Sequence, residues 1–218
     1  MQRHLVVTED GSHSIYVPEL NEHYHSIHGA IQESTHVFIN AGLKAAMLAN
    51  KPISVFEMGF GTGLNALLTL MESVKTNIRI SYTALEAYPL ESSLVAMLNY
   101  DILLDGEKLK LLHNIPWNTP TQINPLFSLI KTQGSLLDYM PQTTFDLIYF
   151  DAFAPEVQPE LWTQAIFEKL RSAMFAGAIL VTYCCKGSVK RALKSAGFQI
   201  EKLPGPPGKR EILRATAI

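Results

Sequence analysis

The chain has 218 residues, 47% hydrophobic and 17% charged, with a formal net charge of −2. That length is enough for one fully cored domain plus an extension, and no apolar run approaches the ~18 residues of a membrane span. The only two cysteines, Cys184 and Cys185, are adjacent, so they cannot staple distant segments. With no signal-peptide pattern after Met1, the reading is a reducing, cytoplasmic setting.

Taken in chain order, residues 4–7 and 14–17 read as a hairpin around the turn signal Asp10-Gly11. Residues 18–34 are polar and His-rich and read as loop. Residues 35–49 carry Val37, Phe38, Leu43 and Met47 at helical spacing, and Pro52 marks a border between an N-terminal extension (1–50) and a core domain (51–218). From there strand and helix alternate. Strands are expected at 54–57, 80–86, 126–132, 145–151 and 178–183, and helices at 64–73, 90–99, 161–172 and 188–195. Residues 100–125 read as irregular. The last two strands, 198–203 and 211–216, are joined by a loop too short for a crossover, so they form an antiparallel hairpin. The alternation predicts an α/β fold with a mostly parallel sheet, helices on both faces and a C-terminal antiparallel hairpin.

The first core strand leads into Glu57-Met58-Gly59-Phe60-Gly61-Thr62-Gly63-Leu64-Asn65. Glycines tolerate positive φ and let a ligand approach the backbone, and the helix start that follows offers unpaired N–H groups. This is a nucleotide-type loop at the carboxyl end of a strand. A carboxylate at Glu57 would repel a pyrophosphate but attract the ammonium or sulfonium of S-adenosylmethionine. Glu86, closing the next strand 23 residues past Gly63, stands where a ribose-binding acid belongs. The competing reading is a structural turn with two solvated acids.

Asp151 ends the most apolar strand and opens Asp151-Ala152-Phe153-Ala154-Pro155, a rigid ledge facing the glycine loop. A carboxylate beside an aromatic suits an amine nucleophile, although a loop-capping aspartate beside a core phenylalanine would look the same. An alkyl amine of pKa ~10.4 is neutral in about one molecule per thousand or fewer at pH 7. An aspartate of ordinary pKa, ~3.9, is too weak to take its proton outright, so Asp151 is expected to orient the amine and pass its proton to water.

The segments around Phe56-Glu57-Met58-Gly59-Phe60-Gly61-Thr62-Gly63, Leu85-Glu86-Ala87-Tyr88-Pro89, Asp151-Ala152-Phe153-Ala154-Pro155 and Pro207-Gly208-Lys209-Arg210-Glu211 resemble the MnmC/MnmD tRNA methyltransferases, in order along nearly the whole chain. The resemblance implies a Rossmann-like class I methyltransferase fold. It also implies methyl transfer from S-adenosylmethionine to the 5-aminomethyl group of a wobble (2-thio)uridine in tRNA. The chain resembles the stand-alone MnmD form, without the oxidoreductase domain of the bifunctional relatives, so separate enzymes would make the aminomethyl and thio groups. Carried over by motif, Glu57, Gly59, Gly61 and Gly63 would line the methionine part of the cofactor, with Phe60 and Asn65 also in the cofactor site. Glu86 would hold the ribose and Tyr88 would lie near the adenosine. Asp151 would face the amine, with Phe153 and Pro155 shaping its pocket. The family shows Gly-Asp after the third strand where this chain has Gly134-Ser135, which leaves the adenine contact to a serine hydroxyl.

Residues 186–214 hold eight bases and two acids. Lys186, Lys190, Arg191, Lys209 and Arg210 are candidates for tRNA phosphates, against the plain reading of a solvated face. His23, His25 and His28 have loop spacing compatible with a metal, but no fourth ligand is evident and no metal is expected. Tyr24 and His25 are instead expected to touch cofactor or substrate. Alternative functions are a polyamine aminopropyltransferase, which would need more acids near the fourth strand, and a non-catalytic RNA-binding module with a relic cofactor loop.

Overall fold

A computed structural model describes residues 2–49, 51–104, 106 and 108–218. Asn50, where the expected border between extension and core falls, lies outside the described residues.

The chain begins with β1 (His4–Val7) and β2 (His13–Val17), paired antiparallel as the Asp10-Gly11 turn predicts, with His4 opposite Tyr16. The stretch expected as loop is more ordered than its composition suggests. It contributes a short third strand, β3 (Glu22–His23), on the far edge of β2, and the helix α1 (Ala30–Ser34). Helical structure then runs on through a π-helical segment (Thr35–Leu43) into α2 (Lys44–Met47). Gly42 has a packing reason here. A Cβ at that position would stand 2.8 Å from Val181 Cγ2, so only glycine lets this segment lie against the sheet.

The core alternates as expected: β4 (Ile53–Met58), α3 (Leu64–Thr76) and β5 (Ile80–Glu86). The region around 90–125 departs from expectation. Instead of one helix at 90–99 there are three short ones, α4 (Ser92–Val95), α5 (Tyr100–Leu103) and α6 (Lys108–Asn114), and then an unforeseen strand, β6 (Thr121–Asn124). Strand β6 runs antiparallel to β7 (Phe127–Gln133), with a register shift between Gln122 and Asn124. It is polar and half-exposed, as an edge strand can be, so it carries no apolar signal. The chain continues through β8 (Phe145–Phe150), a 3-10 turn (Pro159–Trp162), α7 (Gln164–Ser172), β9 (Met174–Thr182), α8 (Gly187–Ser195), β10 (Phe198–Pro204) and β11 (Glu211–Ala217). Thr163 separates the 3-10 turn from α7 and caps the helix by accepting from Ile166 N.

The eight-stranded sheet has the order β10-β11-β9-β8-β4-β5-β7-β6. Strands β4, β5, β7, β8 and β9 are parallel, while β11 runs antiparallel to both β9 and β10. Alternation on the central strands divides two cores. Ile53, Val55, Tyr82, Leu147 and Tyr149 face α3 and the π-helical segment, whereas Phe56, Ile148 and Phe150 face α7 and α8. The carboxyl ends of β4, β5 and β8 therefore share one edge, and the chemistry-bearing residues are carried there. Among the described residues no helix is long and apolar enough to cross a membrane.

Candidate active site

At that edge lies a cavity of about 500 Å³, ample for a nucleoside-sized ligand. Its floor is the loop after β4. Gly59 and Gly61 adopt φ of +92° and +50°, and both line the cavity. A Cβ on Gly59 would stand 2.8 Å from the carbonyl oxygen of Asp151, so the glycine loop and the β8 ledge touch backbone to backbone. The loop is held from the other side by Glu86, whose Oε2 accepts from Gly61 N at 2.9 Å and whose Oε1 accepts from Tyr88 N at 2.8 Å. Glu86 also lines the cavity and keeps further lone pairs for a ligand hydroxyl.

The ledge is preorganised by three hydrogen bonds. Phe153 N donates to Gln158 Oε1 (3.0 Å), Trp162 Nε1 donates to Phe153 O (2.8 Å), and Tyr183 OH donates to Ala152 O (2.8 Å). Phe153 meets Tyr24 edge-on at 5.3 Å between ring centroids, closing an apolar corner beside Asp151. Asp151 Oδ2 accepts from Asn65 Nδ2 at 2.9 Å. Burial, and then the neighbouring charge of Glu33, push the Asp151 carboxyl up to about 7, against the opposing Asn65 hydrogen bond and Lys209. The ordinary aspartate pKa expected from sequence is thereby corrected, because depth in the cavity disfavours the charged form.

The N-terminal residues roof the cavity. Tyr24 packs over Gly61, where a Cβ would come within 3.1 Å of its ring. His25 is buried with Nε2 2.7 Å from Thr62 Oγ1, and burial lowers its pKa to about 4, so it is neutral at pH 7. The three loop histidines have separate partners. His23 packs on Tyr16, His25 on Thr62, and His28 pairs with Glu9 through Nδ1 at 3.0 Å. Among the described residues no group of three His, Cys, Asp or Glu side chains is arranged to hold a metal ion.

Not every expected site residue reaches the cavity. Gly59, Phe60, Gly61, Asn65, Glu86, Tyr88, Asp151, Phe153, Tyr24, His25 and Lys209 line it; Glu57, Gly63, Gly134, Ser135 and Pro155 do not. Glu57 follows Val55 on the face of β4 that packs on α3, and it is completely buried behind the wall. Gly63, with φ of +76°, begins α3 against His113 and Phe60. Gly134 N donates to Glu86 O, and Ser135 Oγ accepts from Leu137 N, so this pair shapes a turn beside the cavity. Of the basic candidates, Lys209 turns inward, pairs with the buried Glu33 and stacks 4.1 Å from the centroid of Tyr183. Lys186 pairs with Glu156, whereas Lys190, Arg191 and Arg210 have no ion pair among the described residues. Arg3, Glu22, Glu33, Gln158 and Tyr183 line the cavity with no sequence signal, since each comes from a segment far from the glycine loop.

A family model described as S-adenosyl-L-methionine-dependent methyltransferase matches residues 116–218. The parallel sheet, the glycine loop and the acid at the next strand tip fit that description, and the fold is the Rossmann-like one of the class I S-adenosylmethionine-dependent methyltransferases. The chain is similar to the tRNA 5-methylaminomethyl-2-thiouridine biosynthesis bifunctional protein MnmC of Magnetococcus marinus, at 32% identity over 212 residues that cover 91% of this chain and 32% of that protein. It spans about a third of the length of the curated relatives it matches. The crystal structure of MNMC2 from Aquifex aeolicus superposes with a TM-score of 0.77 at 23% identity, covering 99% of this chain and 70% of that one. Spermidine synthase from Thermotoga maritima shares the fold at a TM-score of 0.55 and 10% identity, covering 99% of this chain and 72% of that one.

Proposed function

We propose that the protein transfers the methyl group of S-adenosylmethionine to the primary amine of a 5-aminomethyl group on a wobble (2-thio)uridine of tRNA. It would act in the cytoplasm on tRNA prepared by separate enzymes. The observation that supports this reading is the contact between Gly59 and the Asp151 backbone, by which the glycine loop and the Asp151 carboxyl share one cavity. The similarity to MnmC proteins supplies the substrate.

The residues fit the cofactor. Positive-φ glycines expose the loop backbone, Glu86 offers oxygens for the ribose, and Tyr88 lies at the rim for the adenosine. When bound, S-adenosylmethionine supplies an electrophilic methyl carbon. The protein's own task is to deliver a neutral amine with its lone pair aimed. With Asp151 raised to about 7, the proton gap from an amine of pKa ~10.4 is about three units, or ~5 kcal/mol, rather than the ~9 kcal/mol facing an ordinary aspartate. Asp151 therefore accepts the amine's proton as well as orienting it. Phe153 and Tyr24 exclude water from the same corner. Holding the reactants in line supplies ~7–11 kcal/mol more. Lys190, Arg191 and Arg210 are the cations placed to meet tRNA phosphates, and Lys186 could join them by exchanging its partner.

The test is transfer of labelled methyl from S-adenosylmethionine to tRNA bearing 5-aminomethyluridine, with unmodified tRNA as control. Label confined to the wobble base of the first sample is the expected result. Label in neither sample, with cofactor binding intact, or aminopropyl transfer to a free diamine, would overturn the assignment.

A further inference from the structure

Glu57 is a fully buried acid that does not line the cavity. Neither of its oxygens has a hydrogen-bond partner, and the same holds for Asn65 Oδ1 and Tyr82 OH, which are equally buried. Tyr82 on β5 and Asn65 on α3 are its polar neighbours, and Asn65 is the side chain it shares with Asp151. The charged or titratable groups around Glu57 are Asp151, Glu86, Tyr82 and, on β8, Tyr149. All four are acids or phenols.

A count of donors decides the protonation state. If Glu57 is ionised, neither of its oxygens has a donor within hydrogen-bond distance, which leaves a bare buried charge. If Glu57 carries a proton, the set closes: Tyr82 OH donates to one oxygen of Glu57, and the Glu57 O–H donates to Asn65 Oδ1. With Oδ1 held there, Nδ2 is left to point at Asp151, where it is found at 2.9 Å. Burial and the negative charge of Asp151 favour the same state by holding the Glu57 carboxyl well above the usual range.

We propose that Glu57 is a positioning residue: a neutral carboxylic acid that fixes the Asn65 amide so that Nδ2 orients Asp151, and not a charge partner for the cofactor. The inference rests on Asp151 facing the substrate amine.

The infrared arm of the test does not depend on that reading. Near pH ~9 Asp151 is ionised, so the carbonyl stretch of a protonated carboxyl should persist in the wild type and in Asp151→Asn and vanish in Glu57→Gln. In kinetics, Glu57→Leu frees the amide. It should lower kcat about tenfold or more and move the acid limb of the kcat profile upward, because Asp151 loses a hydrogen bond. Glu57→Gln, which can donate to Oδ1 and accept from Tyr82, should restore both to near wild type. Cofactor affinity should change less than threefold in either variant. If Glu57 were ionised, its removal would relieve Asp151 of a negative neighbour, and both variants would move the limb downward. That direction, a missing infrared band, or a tenfold loss of cofactor affinity in Glu57→Gln each overturns the proposal. Should Glu57→Leu fail to fold, Glu57→Gln still decides through the limb and the band. If the amine substrate proves wrong, the band stands apart from that failure.

Discussion

At the scale of single residues, Asp151 concentrates the site's chemistry and part of its instability. Its raised pKa has a definite sign in the energetics. The carboxyl costs nothing while protonated, below the unfolded value of ~3.9, and its contribution is lost as pH rises through about 7. Asparagine does not titrate, so Asp151→Asn should match the wild type in Tm near pH ~4. At pH ~8 it should be more stable by on the order of 4 kcal/mol, or roughly 8–16 °C. The same substitution should reduce kcat by about 10²–10³ while leaving cofactor affinity within a few-fold, measured by single-turnover transfer and calorimetry. A variant that is more stable and less active would identify Asp151 as a strained functional group; one that is less stable would mark it as structural.

At the scale of elements, the loop after β4 works only if its backbone stays bare. Gly59→Ala meets two obstacles, the φ of +92° and the Asp151 carbonyl oxygen 2.8 Å from the new Cβ. The strain alone is worth ~1–2 kcal/mol, and relief by shifting the loop would displace the ledge. Gly59→Ala should therefore lower both Tm and cofactor affinity, the latter by at least tenfold, as read by thermal melts and calorimetry. Helix α8 presents a different case. Its Val189 and Leu193 are buried while Arg191 is exposed and Lys190 half-exposed, so two of its cations can be removed without touching the core. Lys190→Ala with Arg191→Ala should weaken tRNA binding and reduce the slope of log K against log salt by roughly 1.5. An unchanged slope in a filter-binding titration would remove α8 from the interface.

At the scale of the whole molecule, the cavity is closed by segments from opposite ends of the chain. Lys209, in the β10–β11 turn, pairs with Glu33 on α1 and packs on Tyr183. Glu33 raises the Asp151 pKa and Lys209 lowers it, so the clasp also tunes the catalytic group. Removing the Glu33 charge, with Lys209 kept, should move the acid limb of the kcat profile of Glu33→Gln to lower pH. It should also destabilise the fold, since a half-buried ammonium loses its partner. An acid limb that stays in place while Tm falls would show that the clasp is structural only.

Legibility follows the range of the physics. The strands β4, β5 and β8 and the hairpin β10–β11 were readable because apolar runs and turn signals are local. Strand β6 was not, because it forms only by pairing with β7, and neither were the helical turns that replace the expected 90–99 helix. In the site, Gly59, Gly61, Glu86 and Asp151 were visible as glycines and acids at strand ends. Arg3, Glu22, Glu33 and Tyr183 were not, since nothing in their neighbours' sequence says where they land. The sequence by itself determined the alternating α/β order, the strand-end chemistry and the family likeness. All three depend on side-chain pattern within a few residues. Only the tertiary structure decided that Glu57 sits behind the wall, that Lys209 points inward and that Asp151 titrates near neutrality. Each of those depends on burial and on charges brought together from segments distant in the chain.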